Sequence, residues 1–416
     1  MGEIMSQIKS RRFRAERLSQ LGSSIFSEVA AWKREAAANG LDIIDLGIGS
    51  PDQPPAAAIR QSLANAALRE DMYAYPATSS GLPFREAAAE WMHYRFGVQV
   101  NPAAEIVTLM GSQDGLAHLA MAVCDPGDAA FVPDPGYPIY AASLALAGVE
   151  PIFLPLREEN NFLPDLDAIP ETEWNRASFI LLNYPNNPLS AVSNLDFFEK
   201  LIAKARKHDV LVVHDLAYSE MGFDGVLPPS ILQVPGAIEQ AVEFHSLSKS
   251  FNMAGCRIGF LAGNRDAVAA LRELKGNIDY GVFDPVQEAG ITALRTAMSS
   301  DRESYMPAAS AIYERRRDVF VRALREAGWE VEAPKATMFV WAKLPKLMGN
   351  DGEVWNSRTI SQEMLRVTGV VVIPGEAFGT EGEGYVRIAL VENEDRLLEA
   401  AARIGVFIRS SNVVGY

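Results

Sequence analysis

Cysteine is nearly absent from the sequence, with Cys124 and Cys256 the whole supply. Two such distant thiols make no disulfide framework and show no metal-ligand spacing, so the expected compartment is reducing and cytoplasmic. Long apolar runs are missing too, and nothing approaches the roughly 20 residues needed to cross a bilayer as a helix. Positive charge is scarce: 38 Lys and Arg stand against 53 Asp and Glu, a net charge of −15, which argues against a nucleic-acid partner. The one basic cluster, residues 9–17, contains Glu16 and precedes no apolar segment. It reads as a solvated N-terminal stretch and not as a signal peptide. Internal repeats, low-complexity blocks and long linkers are absent as well.

What remains is ordinary globular material, 48% hydrophobic and 22% charged over 416 residues, enough for a large core and two domains. Residues 27–38 are rich in Ala, Glu and Lys and predict a helix. A short strand at 42–46 then runs into Gly47-Ile-Gly49-Ser-Pro-Asp52, where glycine lets the backbone come close to another group. A loop at 72–83 carries Tyr73, Tyr75 and Gly81 ahead of a helix at 84–96. Strands are expected at 105–109, 129–132, 178–182, 210–214, 242–244 and 257–262, with helices from Ser112, from Tyr137 and over 195–207. Such alternation argues a mainly parallel sheet covered by helices on both faces. Beyond residue 284 the order changes to helices at 285–298 and 306–327, then strands at 337–344, 370–373 and 385–390. That is an α+β tail. The expected division is a large domain at 51–284 and a small one at 285–416, joined by the N-terminal segment 1–50.

The chemistry gathers around His245-Ser-Leu-Ser-Lys249-Ser, with Arg257 eight residues beyond the lysine. A desolvated Lys249 amine after a short strand suits attack on a carbonyl and later proton transfer. Ser246, Ser248 and Arg257 suit a phosphate dianion. A solvated Ser/Lys loop is the plainer alternative. Five further motifs fall at strand ends, where open α/β sheets collect ligands. Gly111-Ser112-Gln113 follows a strand and opens a helix, whose first N–H groups take anions. Tyr137 follows the next strand, able to cover a flat ring or simply to pack. Asn187 lies between prolines in Asn-Tyr-Pro-Asn-Asn-Pro, a turn that aims its amide. Asp215 ends the apolar strand at 210–213, a costly place for a carboxylate without a cation. Arg387 sits on an alternating strand, a candidate clamp for a carboxylate.

These motifs, in this order and at this spacing, resemble the class I/II aminotransferases, pyridoxal-phosphate enzymes of fold type I, over about residues 20–408. The resemblance implies a large domain with a mainly parallel seven-stranded sheet plus a smaller α+β domain. It implies that Lys249 binds pyridoxal 5'-phosphate as an imine, that Asp215 pairs with the pyridine nitrogen, and that Tyr218 and Asn187 bind the phenolic oxygen. Ser112, Gln113, Ser246, Ser248 and Arg257 would hold the phosphate and Tyr137 would stack on the ring. Arg387 would grip the substrate carboxylate, with Gly49 and Asn187 beside it. Tyr75 would reach the phosphate of a neighbouring subunit in a homodimer with shared active sites.

Within the family, Asp42-Ile-Ile-Asp-Leu-Gly-Ile-Gly-Ser-Pro-Asp52 and Gln287-Glu-Ala-Gly look most like the LL-diaminopimelate aminotransferase subgroup, which shades into alanine and methionine enzymes. The expected reaction moves an amino group between an L-amino acid and 2-oxoglutarate or pyruvate, by a ping-pong route. Residues 277–287 offer Tyr280, Val282 and Phe283 and no cation, so neutral donors are expected to serve at least as well as aspartate. The alternatives are other carbanion outcomes on the same cofactor, such as β-elimination or racemisation, and a non-catalytic sensor that keeps the cofactor.

Overall fold

The computed structural model describes residues 13–21, 24–76, 81–299, 302–348, 354–410 and 412–415. Parts of the basic run at 9–17 and of the loop at 72–83 lie outside them. Seven strands make the large sheet: β1 (Ile106–Leu109), β2 (Ala129–Asp134), β3 (Glu150–Pro155), β4 (Ala177–Asn183), β5 (Leu211–Asp215), β6 (Ala241–Ser246) and β7 (Gly259–Gly263). Their order is β1-β7-β6-β5-β4-β2-β3, and only β7 runs against its neighbours. Successive side chains of a strand face opposite ways, so one run of apolar residues feeds two cores. Ile180 and Leu182 join Val212, Phe198 and Phe260 on one face, while Phe179 and Leu181 join Val213, Phe244 and Leu144 on the other. The α/β class with a mainly parallel sheet is thus as the sequence implies.

Strand β3 has no counterpart in the sequence reading. Pro151 and Pro155 removed its ladder signal, yet it lies at the sheet edge, where a strand tolerates missing N–H groups. The helix Asp284–Met298 packs its Ala289, Ile291 and Leu294 with Phe84, Ile258 and Phe260 of the large-domain core. A division at residue 284 therefore falls ahead of a helix that belongs with the large sheet. The second core is built from Tyr313, Phe320 and Leu324 of helix Arg302–Glu326 with Trp329. Against it lie β8 (Phe339–Lys343), β9 (Ile373–Pro374) and β10 (Tyr385–Ala389), antiparallel in the order β9-β10-β8.

The N-terminal segment is tied to this second body. Ile44–Asp45 pairs in parallel with Val370–Val371, and Val29 and Ala36 of helix Ser24–Ala38 pack with Trp341, Ile373 and Phe378. The turn after the strand is anchored at its end, where Asp52 takes two hydrogen bonds of 2.7 and 2.8 Å from the buried Arg316. The backbone of Gly47 and Gly49 is thereby held over the carboxyl ends of β4, β5 and β6. No described helix is long and apolar enough to cross a membrane.

Candidate active site

Between the turn at 47–52 and the ends of those strands lies a cavity of about 690 Å³, and its wall includes Lys249, Asp215, Arg387, Arg257 and Asn187. Lys249 stands in the short helix Leu247–Ser250, which Ser246 caps by accepting a hydrogen bond from the Ser248 N–H. Its ammonium donates to the Gly49 carbonyl. Burial first, and then the charges of Arg387 and Arg257, push the amine down to about 8 against the opposing pull of Asp215.

Asp215 ends β5, and only 4% of it is exposed. Its Oδ2 accepts from the Tyr140 hydroxyl at 2.8 Å, and its Oδ1 is buried with no hydrogen-bond partner among the described residues, although the Ala217 N–H also favours the charged carboxylate. Burial raises its pKa, while the Tyr140 hydrogen bond and the nearby His214 restrain the rise. An isolated buried carboxylate oxygen is expensive, which makes this one a socket for a donor from outside the chain.

Arg387 is placed from β10 and is equally exceptional. Among the described residues it makes no ion pair, and its hydrogen bonds go to the Gly47 carbonyl at 2.8 Å and to Asn187 Oδ1 at 3.0 Å. Its Nε has no partner, and its guanidinium lies 4.5 Å from the Phe339 ring centroid and 4.8 Å from that of Phe378. Burial brings its pKa down to about 10. A desolvated guanidinium without an acid suits a carboxylate that arrives with a ligand.

Asn187 is held by its own backbone: its N–H donates to Asn183 Oδ1 at 2.7 Å, and Asn183 Nδ2 donates to the Asp215 carbonyl at 2.7 Å. The end of β4 thus aligns the Asn187 turn with the end of β5. Tyr218 is buried, its ring 6.0 Å from the Lys249 amine, and burial raises its hydroxyl pKa.

On the far side the helix Ser112–Val123 points its N-terminus into the cavity. Gly111, at φ 78°, precedes it, and a β-carbon there would lie 2.7 Å from Arg257 Nη2. Only glycine allows the guanidinium to sit so close to the first N–H groups of that helix. Arg257 itself takes the left-handed φ of 56° and donates to the Ala254 carbonyl, and among the described residues the rest of its fork has no partner and can face an anion. Ser248 and Ser246 line the same corner. Tyr137 lines the wall and donates to Gln113 Oε1 at 3.0 Å.

The fold thus brings together every site residue read from the sequence except Tyr75. That residue is 85% exposed, lies outside the cavity wall, and has the Tyr280 ring 5.6 Å away. Three features of the wall escaped the sequence reading: Tyr140, the Lys33–Asp45 pair and one face of the helix Ser24–Ala38. Tyr140 holds Asp215 from the helix that Tyr137 precedes. Lys33 and Asp45 form a 2.7 Å ion pair in the wall of the cavity. Phe26, Val29, Ala30 and Lys33 share one helix face by their spacing, a pattern visible in the sequence once that face is known to meet the site.

The donors around the cavity fit pyridoxal 5'-phosphate: an orphan carboxylate oxygen for a ring N–H, a depressed amine for a carbonyl, and a helix N-terminus with Arg257 for a phosphate. Comparison with known proteins agrees. The family described as aminotransferase class I and II matches residues 41–404. An LL-diaminopimelate aminotransferase 2 from Trichormus variabilis is 44% identical over 391 residues, spanning 94% of this chain and 97% of that protein. Among solved structures, the substrate-bound BacF from Bacillus subtilis superposes with a TM-score of 0.88 at 34% identity, covering 95% of this chain and 98% of that one. A probable N-succinyldiaminopimelate aminotransferase from Thermus thermophilus gives a TM-score of 0.86 at 39% identity, covering 92% and 100%. The chain belongs to the class I and II aminotransferases and is a pyridoxal-phosphate-dependent enzyme of amino-group transfer.

Proposed function

We propose that this chain moves the amino group of an L-amino acid to 2-oxoglutarate or pyruvate, with Lys249, Asp215 and Tyr218 as its catalytic residues. The observation that carries the assignment is Asp215 Oδ1, buried and unpartnered in the wall of the cavity that holds a depressed lysine. The cofactor supplies an electron sink for the bond broken at the donor's α-carbon. Asp215 gives its ring nitrogen a permanent anionic partner. Asn187 and Tyr218 orient the phenolic oxygen. Gln113, Ser112, Ser246, Ser248 and Arg257 bind the phosphate, and Tyr137 covers one ring face. Arg387 takes the α-carboxylate against Gly47, Gly49 and Asn187. Lys249, able to reach its neutral form near neutral pH, carries the proton at the α-carbon.

Donor choice is argued from charge. Lys33 is already neutralised by Asp45, and the expected apolar stretch at 277–287 adds no cation. Arg85 is spent on the Gly81 and Pro102 carbonyls, away from the site. Among the described residues a singly charged donor side chain would meet no free counter-charge, so alanine, methionine and aromatic donors serve at least as well as aspartate. LL-diaminopimelate, in the name of the curated relatives, belongs in the same ranking. A homodimer with shared sites is part of the reading. It is supported by the exposed aromatics Tyr73 and Phe283, 5.7 Å apart, beside Tyr75 and Tyr280. Tyr75 then serves the partner's phosphate. A cytoplasmic location rests on the two free thiols.

The test is a half-reaction. Absorbance of the yellow protein should bleach on adding an amino donor and return with a 2-oxo acid, and borohydride should fix the cofactor to Lys249. Release of ammonia or the D-enantiomer without a reversible bleach would transfer the assignment to a lyase or racemase. Ranking kcat/KM across donors settles the rest: an aspartate preference above about 10-fold, roughly 1.4 kcal/mol in the transition state, would refute the charge argument.

A further inference from the structure

Directly behind the site, on the opposite face of the sheet, lies a polar network that none of the roles above uses. Glu243 is completely buried, and each of its oxygens accepts twice. Oε1 takes the Ser230 hydroxyl at 2.6 Å and His245 Nε2 at 2.9 Å. Oε2 takes the Ile231 N–H at 2.8 Å and His214 Nδ1 at 2.8 Å. The second nitrogen of His214, Nε2, lies 3.1 Å from the Tyr184 carbonyl. Both nitrogens of His214 face oxygens that can only accept, so both carry protons and the ring is an imidazolium. His245 differs: among the described residues its Nδ1 has no partner, and its ring is stacked 4.7 Å from Phe260.

Both histidines and the Tyr184 carbonyl lie close in sequence to site residues. His214 precedes Asp215, His245 precedes Ser246 and the Lys249 turn, and the Tyr184 carbonyl opens the turn that ends at Asn187. Neighbours on a strand point to opposite faces, so the imidazolium of His214 lies behind the Asp215 carboxylate, and Glu243 stands opposite His214 on β6. On the cavity side Asp215 faces the Tyr140 hydroxyl, with Lys249, Arg387 and Tyr218 in the same wall. Behind the sheet, His214 faces Glu243, the Tyr184 carbonyl and the Phe198 ring, 4.9 Å away.

We propose that His214, Glu243 and His245 form a buried positioning network that keeps a positive charge behind Asp215 and so holds that carboxylate ionised beneath the cofactor ring. This rests on the reading of Asp215 as the partner of the ring nitrogen. His214 touches neither cofactor nor substrate. Its effect passes through Asp215, whose ionised form is required, so activity should fall as pH drops through the Asp215 pKa. Removing the cation raises that pKa and moves the acid limb of the kcat profile upward.

Two measurements test the network. In the cofactor-free protein labelled with ¹⁵N-histidine, His214 should show two protonated ring nitrogens at pH 7. A neutral His214 at pH 7 overturns the proposal, and this reading holds whatever the protein catalyses. In the holoenzyme, Glu243→Gln and the shape-conserving His214→Gln should each lower kcat by about 10-fold or more, leave the donor KM within about 3-fold, and move the acid limb up by about one pH unit. A fall in kcat with an unmoved acid limb would mean the network is a structural tie and nothing more. If wild-type protein shows no donor-driven bleach, the functional reading fails by itself, while the histidine spectrum still judges the network.

Discussion

Asp215 and Glu243 are carboxylates sunk into adjacent strands of one sheet, on opposite faces, and they are treated in opposite ways. Glu243 has four donors on two oxygens, and these hydrogen bonds, led by His214 and His245, overcome the effect of burial and bring its pKa down to about 2. Asp215 keeps one oxygen empty, and burial raises its pKa. A group that serves the fold is saturated by the fold, whereas one that serves a ligand is left short of a partner. The arginines repeat the lesson: Arg316 is matched by Asp52, and Arg387 has no acid partner among the described residues.

The largest effect is expected at Lys249. Lys249→Ala should lower turnover by more than about 10³-fold, since imine exchange and proton transfer both need the amine, while the phosphate groups still retain cofactor without a covalent bond. Single-turnover bleaching with a saturating donor measures it. Asp215 and Glu243 should then separate cleanly. Glu243→Ala strips the acceptor from two histidines and should destabilise the fold by about 3–5 kcal/mol in urea titration. Asp215→Asn should leave stability within about 1 kcal/mol yet cut turnover by roughly 10²-fold or more, because only the ligand's partner is gone. Equal stability losses for both would erase the distinction between them.

Most of this asymmetry was legible in the sequence for the site and little of it for what surrounds the site. Lys249, Asp215, Asn187 and Arg387 were readable because strand ends and proline or glycine turns mark where an α/β sheet presents side chains. Tyr140 and the Glu243 network were not, since a tyrosine in an apolar helix and a glutamate in an apolar strand carry no local signal of what they face across the sheet. Helices Ala57–Ala67, Arg265–Ile278, Ser357–Thr368 and Glu394–Ser410 have no counterpart in the sequence reading. Two had caps to read: Asn264 accepts from the N–H groups of Asp266 and Ala267, and Asn356 from that of Thr359. Strand β3 hid behind its prolines. The sequence pattern changes at 284, but the partner of an apolar helix face is set by tertiary packing, which periodicity does not name.

Arg387 offers a middle-sized test. Arg387→Met keeps the contacts with Phe339 and Phe378 and removes the fork, so the donor KM should rise by about 10- to 100-fold, the worth of a charge-assisted hydrogen-bonded pair, roughly 1.5–3 kcal/mol. Relief of a buried, unpaired cation should meanwhile leave the cofactor-free protein no less stable. A fall in stability instead would make the arginine a structural group like Arg316.

The smallest effect is a difference in pH dependence between the two carboxylates, read in cofactor-free protein. Glu243 binds protons less readily in the fold than its ordinary 4.5, so its contribution is present above pH 4.5 and is lost as pH falls toward about 2. Asp215 is shifted the other way, above 3.8, because burial outweighs Tyr140 and His214. Between 3.8 and that raised value the folded state holds a proton that the unfolded state has lost, so rising pH removes stability. Asp215→Asn abolishes that slope. Measured against wild type by urea unfolding, the variant should gain as pH rises from 3.5 to 7, by about 1 kcal/mol, the usual cost of an unsatisfied buried acceptor. Glu243→Gln should lose relative to wild type over pH 2 to 5. Saturation with cofactor should cancel the Asp215 difference and leave the Glu243 difference in place, because only the first carboxylate gains a partner on binding. If cofactor changed neither slope, the partner of the empty Oδ1 would have to be sought elsewhere.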